Sequence, residues 1–209
     1  MREALNFIEQ SAKRLNGTGP IEYTVIHACL LAYPHPGMPT DEIARNRATA
    51  RQLLTDVHAQ VASAVSSEEE AKVGGVSHDV DIFLDLATLW HNEAIDKAIG
   101  AYQTASNIFR DSTDAESETR TLDVRQIRTS SNLGSLFLLQ GNVDSAEREY
   151  QFALEKLANE TGQDAEVLKI DLAYNLARAY EENGDVVKAS QWYRDVLRQH
   201  PEHMECESL

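Results

Sequence analysis

Leu172-Ala-Tyr-Asn-Leu-Ala-Arg-Ala-Tyr-Glu-Glu-Asn-Gly-Asp-Val-Val-Lys-Ala-Ser-Gln-Trp-Tyr-Arg-Asp-Val-Leu-Arg-Gln-His-Pro201 carries the spacing that decides the fold. It reads as a helix, a tight turn and a second helix closed by proline. Leu176, Ala177 and Tyr180 belong to the first helix, and Ala189, Tyr193 and Val196 to the second. The small Ala177 and Ala189 let the two helices approach closely, and Tyr180 and Tyr193 fill the space beside them. One such pair cannot bury its own apolar face, so stacked neighbours are expected.

With Pro201 at position 32 of a unit about 34 residues long, those six residues fall at positions 7, 8, 11, 20, 24 and 27. The stretch therefore resembles one complete tetratricopeptide repeat (TPR). The fold expected is all-α, a TPR helical solenoid that is a fragment of a longer superhelix. Solenoids of this kind bind other proteins, and catalysis is not what the pattern predicts.

Reading outward gives one continuous array over residues 1–209. Residues 1–19 contain helical spacing in Ala4, Leu5, Ile8, Ala12 and Leu15, stopped by Gly17-Thr-Gly-Pro20, and look like the second helix of a preceding repeat. Residues 21–65 form a degenerate repeat interrupted by the proline-rich Pro34-His-Pro-Gly-Met-Pro39, which cannot be helical. Thr40 is placed to cap the helix that follows, which runs to about Ala64. Ser66 to Gly75 is a polar connection with Gly74-Gly75 as its clearest break. Residues 79–110 form the next repeat, with Leu86, Ala87 and Trp90 at positions 7, 8 and 11 and Ala98, Tyr102 and Ala105 at 20, 24 and 27. Its turn is one residue short, and Asp111 to Ser117 reads as a charged loop.

Residues 122–158 repeat the pattern with Leu133, Gly134 and Phe137, a Gly141-Asn142 turn, then Ala146, Tyr150 and Ala153. Leu176 follows Leu133 by 43 residues, which places a surplus over the 34-residue period near Ala158 to Val167. Residues 168–201 are the opening stretch. Residues 202–209 look like the start of a following helix, so both ends are expected to be cut from a longer protein.

Composition narrows the function. Against 34 acidic residues there are 19 basic ones, a net charge of −15. Nucleic-acid binding needs Lys and Arg to replace phosphate counterions, and no window holds a dense basic cluster, so no direct nucleic-acid contact is expected. The acidity suits a basic protein partner. No apolar run approaches the ~20 residues a membrane helix needs, and the charged amphipathic start is not a secretory signal. A soluble intracellular protein is expected. Cys29 and Cys206 lie far apart, and Cys29 sits in an apolar run as a buried thiol would.

Few groups could carry chemistry. His200-Pro-Glu-His203-Met-Glu-Cys206 offers three metal-like side chains at a repeat boundary without a fourth. Asp79 and Asp81 sit at a helix start, where acids favour the positive end of the dipole, and Asp85 reads as a solvated-face residue. No nucleophile–base arrangement or phosphate-binding glycine loop is present. No catalytic residue, cofactor or metal is therefore expected. Trp90, Tyr102, Phe137, Tyr150, Tyr180 and Tyr193 all occupy packing positions.

Groove-facing positions 2, 5, 6 and 9 are Arg128, Ser131, Asn132 and Ser135 in one repeat, and Asp171, Tyr174, Asn175 and Arg178 in the next. These eight are the candidate partner-binding residues. The asparagines suit a carboxylate clamp of the co-chaperone type, but the lysines it requires are missing, and Asp171 would repel a carboxylate. A longer segment of partner chain fits better.

Three stretches together resemble a particular family. They are Asn132-Leu-Gly-Ser-Leu-Phe-Leu-Leu-Gln-Gly-Asn-Val-Asp-Ser-Ala-Glu147, Ala173-Tyr-Asn-Leu-Ala-Arg-Ala-Tyr-Glu181 and Leu197-Arg-Gln-His-Pro-Glu-His-Met-Glu-Cys206. The family is that of the Cln-three-requiring TPR scaffold subunits of the RNA polymerase II-associated factor (PAF) complex. Leu84-Asp-Leu-Ala87 and Ala98-Ile-Gly-Ala-Tyr-Gln-Thr-Ala-Ser106 fit as well, so the likeness runs from about Asp79 to the end. The resemblance implies a nuclear scaffold in transcription elongation. It would hold the complex's name-giving subunit and the parafibromin-like subunit, act indirectly on RNA polymerase II and support histone modification. A generic TPR adaptor from another pathway is the alternative.

Overall fold

The computed structural model describes residues 20–64, 72–114 and 124–201, with Phe7, Gln10 and Glu70. Of the segment 1–19, only Phe7 and Gln10 are described, both helical and exposed. Most of the 66–71 connection, the 115–123 stretch and the tail with His203 and Cys206 lie outside the described residues.

Among the described residues the structure is helix and turn, without strands. The elements are α1 (Ile21–Ala32), α2 (Thr40–Ser63), a 3-10 turn (Gly74–His78), α3 (Val80–Trp90), α4 (Ile95–Asp114), α5 (Val124–Leu139), α6 (Val143–Leu157), α7 (Gln163–Glu182) and α8 (Val186–Gln199). They fall into two compact units, Met1–Asp111 and Ser112–Leu209.

In the first unit α1 packs along α2, and α2 against α3. Ala28, Ala50, Leu54, Val57, Phe83 and Ala87 are fully enclosed. Val80 and Phe83 of α3 meet Ala105 and Phe109 of α4 in a second apolar cluster. Three local expectations change here. Thr40 is the first residue of α2, not its cap; Pro39 precedes the helix and no side chain caps it, because an N-cap needs a side-chain oxygen one residue earlier. Gly74-Gly75 is not an open break but the start of the 3-10 turn, pinned by buried Val73 and Val76. The charged stretch after Arg110 continues α4 to Asp114 before the described residues end.

In the second unit α5 packs on α6, α6 on α7 and α7 on α8. One cluster joins Ile127, Ala146, Tyr150, Ala153, Leu176 and Tyr193. The glycine turns explain the two well-formed repeats. Gly141 and Gly184 take φ of 73° and 79°, a left-handed conformation that costs glycine nothing. Asn142 N–H then donates to the Phe137 carbonyl at 2.8 Å and Asp185 N–H to the Tyr180 carbonyl at 2.9 Å, which closes each first helix with a Schellman motif. The same Asn142 and Asp185 side chains cap the next helices, accepting from Ser145 N–H at 3.2 Å and Lys188 N–H at 3.1 Å. One dipeptide thus stops one helix and starts the other. The surplus before Leu176 divides between an early start of α7 at Gln163 and the Ala158–Gly162 turn.

Small residues set the helix spacing. Ala87, Ala98, Ala105, Ala146, Ala153, Ala177 and Ala189 are all fully buried. At Gly134 an added Cβ would lie 2.6 Å from the Tyr150 ring, so α5 and α6 approach more closely than alanine permits.

Candidate functional site

Three of the eight groove candidates converge. Ser135 of α5 with Asn175 and Arg178 of α7 line one cavity of about 350 Å³, together with Leu138, Leu139, Tyr150 and Glu182. Its floor is fixed by hydrogen bonds. The Ser135 hydroxyl donates to the Ser131 carbonyl at 3.0 Å, which leaves its oxygen to accept from the Tyr150 hydroxyl, also at 3.0 Å. Burial pushes the Tyr150 phenol above its ordinary pKa, so it stays a neutral donor. At the rim Arg178 reaches Glu182 at 3.6 Å, an exposed pair of little energetic weight. Leu139 is 70% exposed beside them. The site therefore combines an apolar lip, an amide able to donate and accept, and a weakly held cation.

The other five candidates are distributed differently. Arg128 and Asp171 are exposed and do not line this cavity. Ser131 serves it through its carbonyl, and Asn132 is half-buried. The Tyr174 ring packs on Tyr193 with centroids 5.7 Å apart. Tyr150 and Leu139 have no place among the eight because their positions read as packing and helix end.

The tyrosines at packing positions prove to have a second role. Tyr180 of α7 donates to Glu147 of α6 at 2.6 Å, and Gln151 donates to the same oxygen from one turn along α6 at 2.9 Å. Tyr193 donates to Glu181 at 2.9 Å. Burial, then the Glu147 hydrogen bond, pushes the Tyr180 hydroxyl up to about 12. Each phenol thus ties neighbouring helices through its hydroxyl while its ring fills the core.

The first unit has its own cavity, of about 300 Å³, lined by Tyr33, Arg47, Arg51, Asp85, Thr88 and Glu93 among others. Asp85 is half-buried, not solvated, because Tyr33 donates to it at 2.6 Å and the Cys29 thiol lies 3.7 Å away. That hydrogen bond, then burial, pushes the Tyr33 phenol up to about 12, and burial followed by the Asp85 charge pushes Cys29 up to about 11. The thiol is therefore inert at neutral pH. Arg51 is held by Glu93 and stands 5.3 Å from the centre of the Trp90 ring, which Lys97 also covers at 4.0 Å. Asp85 stands one residue before Leu86, the repeat position that Asn132 and Asn175 occupy, so the same spacing rule reaches the first unit. Asp79 caps α3 by accepting from Asp81 N–H at 3.1 Å.

Residues 172–205 match the tetratricopeptide repeat family. The match takes in the second half of α7, the Gly184 turn and α8, and the fold class is an all-α TPR helical solenoid. TPR architecture is that of a protein–protein interaction module. Among the described residues no group of three or more His, Cys, Asp or Glu could hold a metal ion. None of the described helices is long and apolar enough to cross a membrane.

Proposed function

We propose that this chain is a nuclear binding scaffold of the PAF transcription elongation complex. In this reading its TPR helices hold the complex's name-giving subunit and the parafibromin-like subunit, and through them serve RNA polymerase II elongation and histone modification. The binding part of the proposal is carried by one observation: Ser135, Asn175 and Arg178, from two successive TPR first helices, meet around one cavity beside exposed Leu139. Preordered helix faces suit a partner segment that becomes ordered as it binds. The pathway part is supported by the wording of Asn132–Glu147, Ala173–Glu181 and Leu197–Cys206.

Co-precipitation from nuclear extract tests the proposal. The other PAF subunits are expected with the tagged chain at stoichiometric levels. Their absence, with chaperones or other adaptor clients in their place, would favour a generic TPR adaptor.

A further inference from the structure

The cavity of the first unit holds more hydrogen-bond donors than its own acids use. It lies where α1, α2 and α3 meet and has a volume of about 300 Å³. Its two carboxylates, Asp85 of α3 and Glu93 in the turn beyond, are both engaged. Asp85 accepts from the Tyr33 hydroxyl at 2.6 Å and has the Cys29 thiol 3.7 Å away. Glu93 accepts from Arg51, which also reaches the Leu89 carbonyl at 3.5 Å and stands against the Trp90 ring.

Three other polar side chains line the same cavity: Arg47 of α2, Thr88 of α3 and Asn92 in the turn, all exposed. Among the described residues none of these side chains makes a hydrogen bond or ion pair. Of the three arginines in α2, Arg45 is held by Asp41 and Arg51 by Glu93. Arg47 has Ile43, Ala44, Ala50 and Arg51 three and four residues away, so no acid of its own helix faces it. A guanidinium only donates, and its planar fork matches the two oxygens of a carboxylate. The hydrogen-bonding capacity left in the cavity therefore suits an anion, even in a chain of net charge −15. Exposed charges more than about 8 Å away are largely screened at physiological ionic strength, so the local donors decide.

We propose that this cavity takes a glutamate or aspartate side chain from a segment of a partner protein. Arg47 holds the two carboxylate oxygens with two N–H groups, and the Asn92 amide and Thr88 hydroxyl donate to them from the end of α3. The Tyr33 ring and half-buried Leu89 give the segment's neighbouring apolar residue a wall, which a free inorganic anion would leave unused. The site shares no residue with the Ser135–Arg178 cavity and does not rest on the PAF reading.

The test titrates two end-blocked peptides, acetyl-Ser-Leu-Glu-Leu-Ser-amide and its Gln counterpart, into the full 209-residue chain. Proton–nitrogen NMR follows the Arg47 Nε–H and Asn92 side-chain amide signals. The Glu peptide is expected to bind at least about tenfold more tightly than the Gln peptide, the scale of one charge-assisted pair. Arg47→Gln and Asn92→Asp should each remove that difference, by loss of the cation and by like-charge repulsion, whereas Arg178→Ala should leave it unchanged. Arg47 and Asn92 are exposed, so circular dichroism should show both variants folded. Sodium phosphate should shift the same signals only at concentrations at least about tenfold higher than the Glu peptide needs. The inference is overturned if the two peptides bind alike, if either cavity variant still discriminates between them, or if Arg178→Ala abolishes the difference. It is equally overturned if phosphate binds as tightly as the Glu peptide, which would leave an adventitious ion only.

Discussion

Replacing Gly134 by alanine would place a methyl carbon 2.6, 2.7 and 2.9 Å from Cε1, Cζ and Cδ1 of Tyr150. In an unobstructed helix interior the same change is worth about 1 kcal/mol in favour of folding. Here the opposing ring is 1% exposed and its hydroxyl is fixed by Ser135 at 3.0 Å, so it cannot swing aside. Overpacking a tight core costs about 1–3 kcal/mol, and three ring carbons inside 3 Å place Gly134 at the upper end. The net expectation is a loss of about 2 kcal/mol for the second unit, the difference between those two terms. Gly100 of α4 provides the control, because a Cβ there meets nothing within 4 Å, and Gly100→Ala should stabilise by about 0.5–1 kcal/mol. Urea denaturation followed by circular dichroism measures both variants, and hydrogen exchange locates the Gly134→Ala effect in α5 and α6. Stabilisation of Gly134→Ala to the same degree as Gly100→Ala would refute the close-approach argument.

Three further outcomes follow from the same contacts. Tyr180→Phe removes the hydroxyl between α7 and α6 while keeping the ring, and should cost about 1–2 kcal/mol in urea denaturation; an unchanged midpoint would mean Gln151 alone satisfies Glu147. Asp185→Ala removes the α8 cap and should cost about 1 kcal/mol, read as faster hydrogen exchange in the first turn of α8. His58 sits edge-on to Phe83 with ring centroids 5.5 Å apart and lies 2.9 Å from the Thr104 hydroxyl oxygen. Thr104 donates its proton to the Gly100 carbonyl, so the hydroxyl oxygen accepts from a neutral imidazole. Burial holds His58 below its ordinary pKa. Below about pH 6.5 the unfolded chain takes up a proton that the folded one resists. Stability of the first unit should therefore fall as pH drops through that range and be unaffected above it. Thermal melts should show a shallower acid slope for His58→Gln than for the parent.

Repeat architecture is legible in this chain because packing positions are few and stereotyped. Leu133, Gly134, Ala146, Tyr150 and Ala153 can be read as core from spacing, and each is buried. Turn chemistry is equally local, since Gly141-Asn142 and Gly184-Asp185 encode both a helix stop and a cap. Long-range polar pairs are not legible. Nothing in the spacing of Asp85 says that Tyr33, 52 residues earlier, donates to it. The Tyr180–Glu147 pair has the same character, because the hydroxyl's partner depends on how two repeats stack. The α2 cap misled because Thr40 has the right side chain one position too late. At the groove, spacing identifies which residues face the inside of a repeat, but not that Ser135, Asn175 and Arg178 share a cavity. That follows from the particular stacking of α5, α6 and α7.

The proposed role is that these TPR faces hold PAF subunits. Titrating the purified name-giving PAF subunit into this chain and into Asn175→Ala/Arg178→Glu decides it. Saturable one-to-one binding is expected, weakened at least about tenfold by the double variant, the scale of losing one charged and one amide contact. No binding, or identical binding by the double variant, would rule that role out.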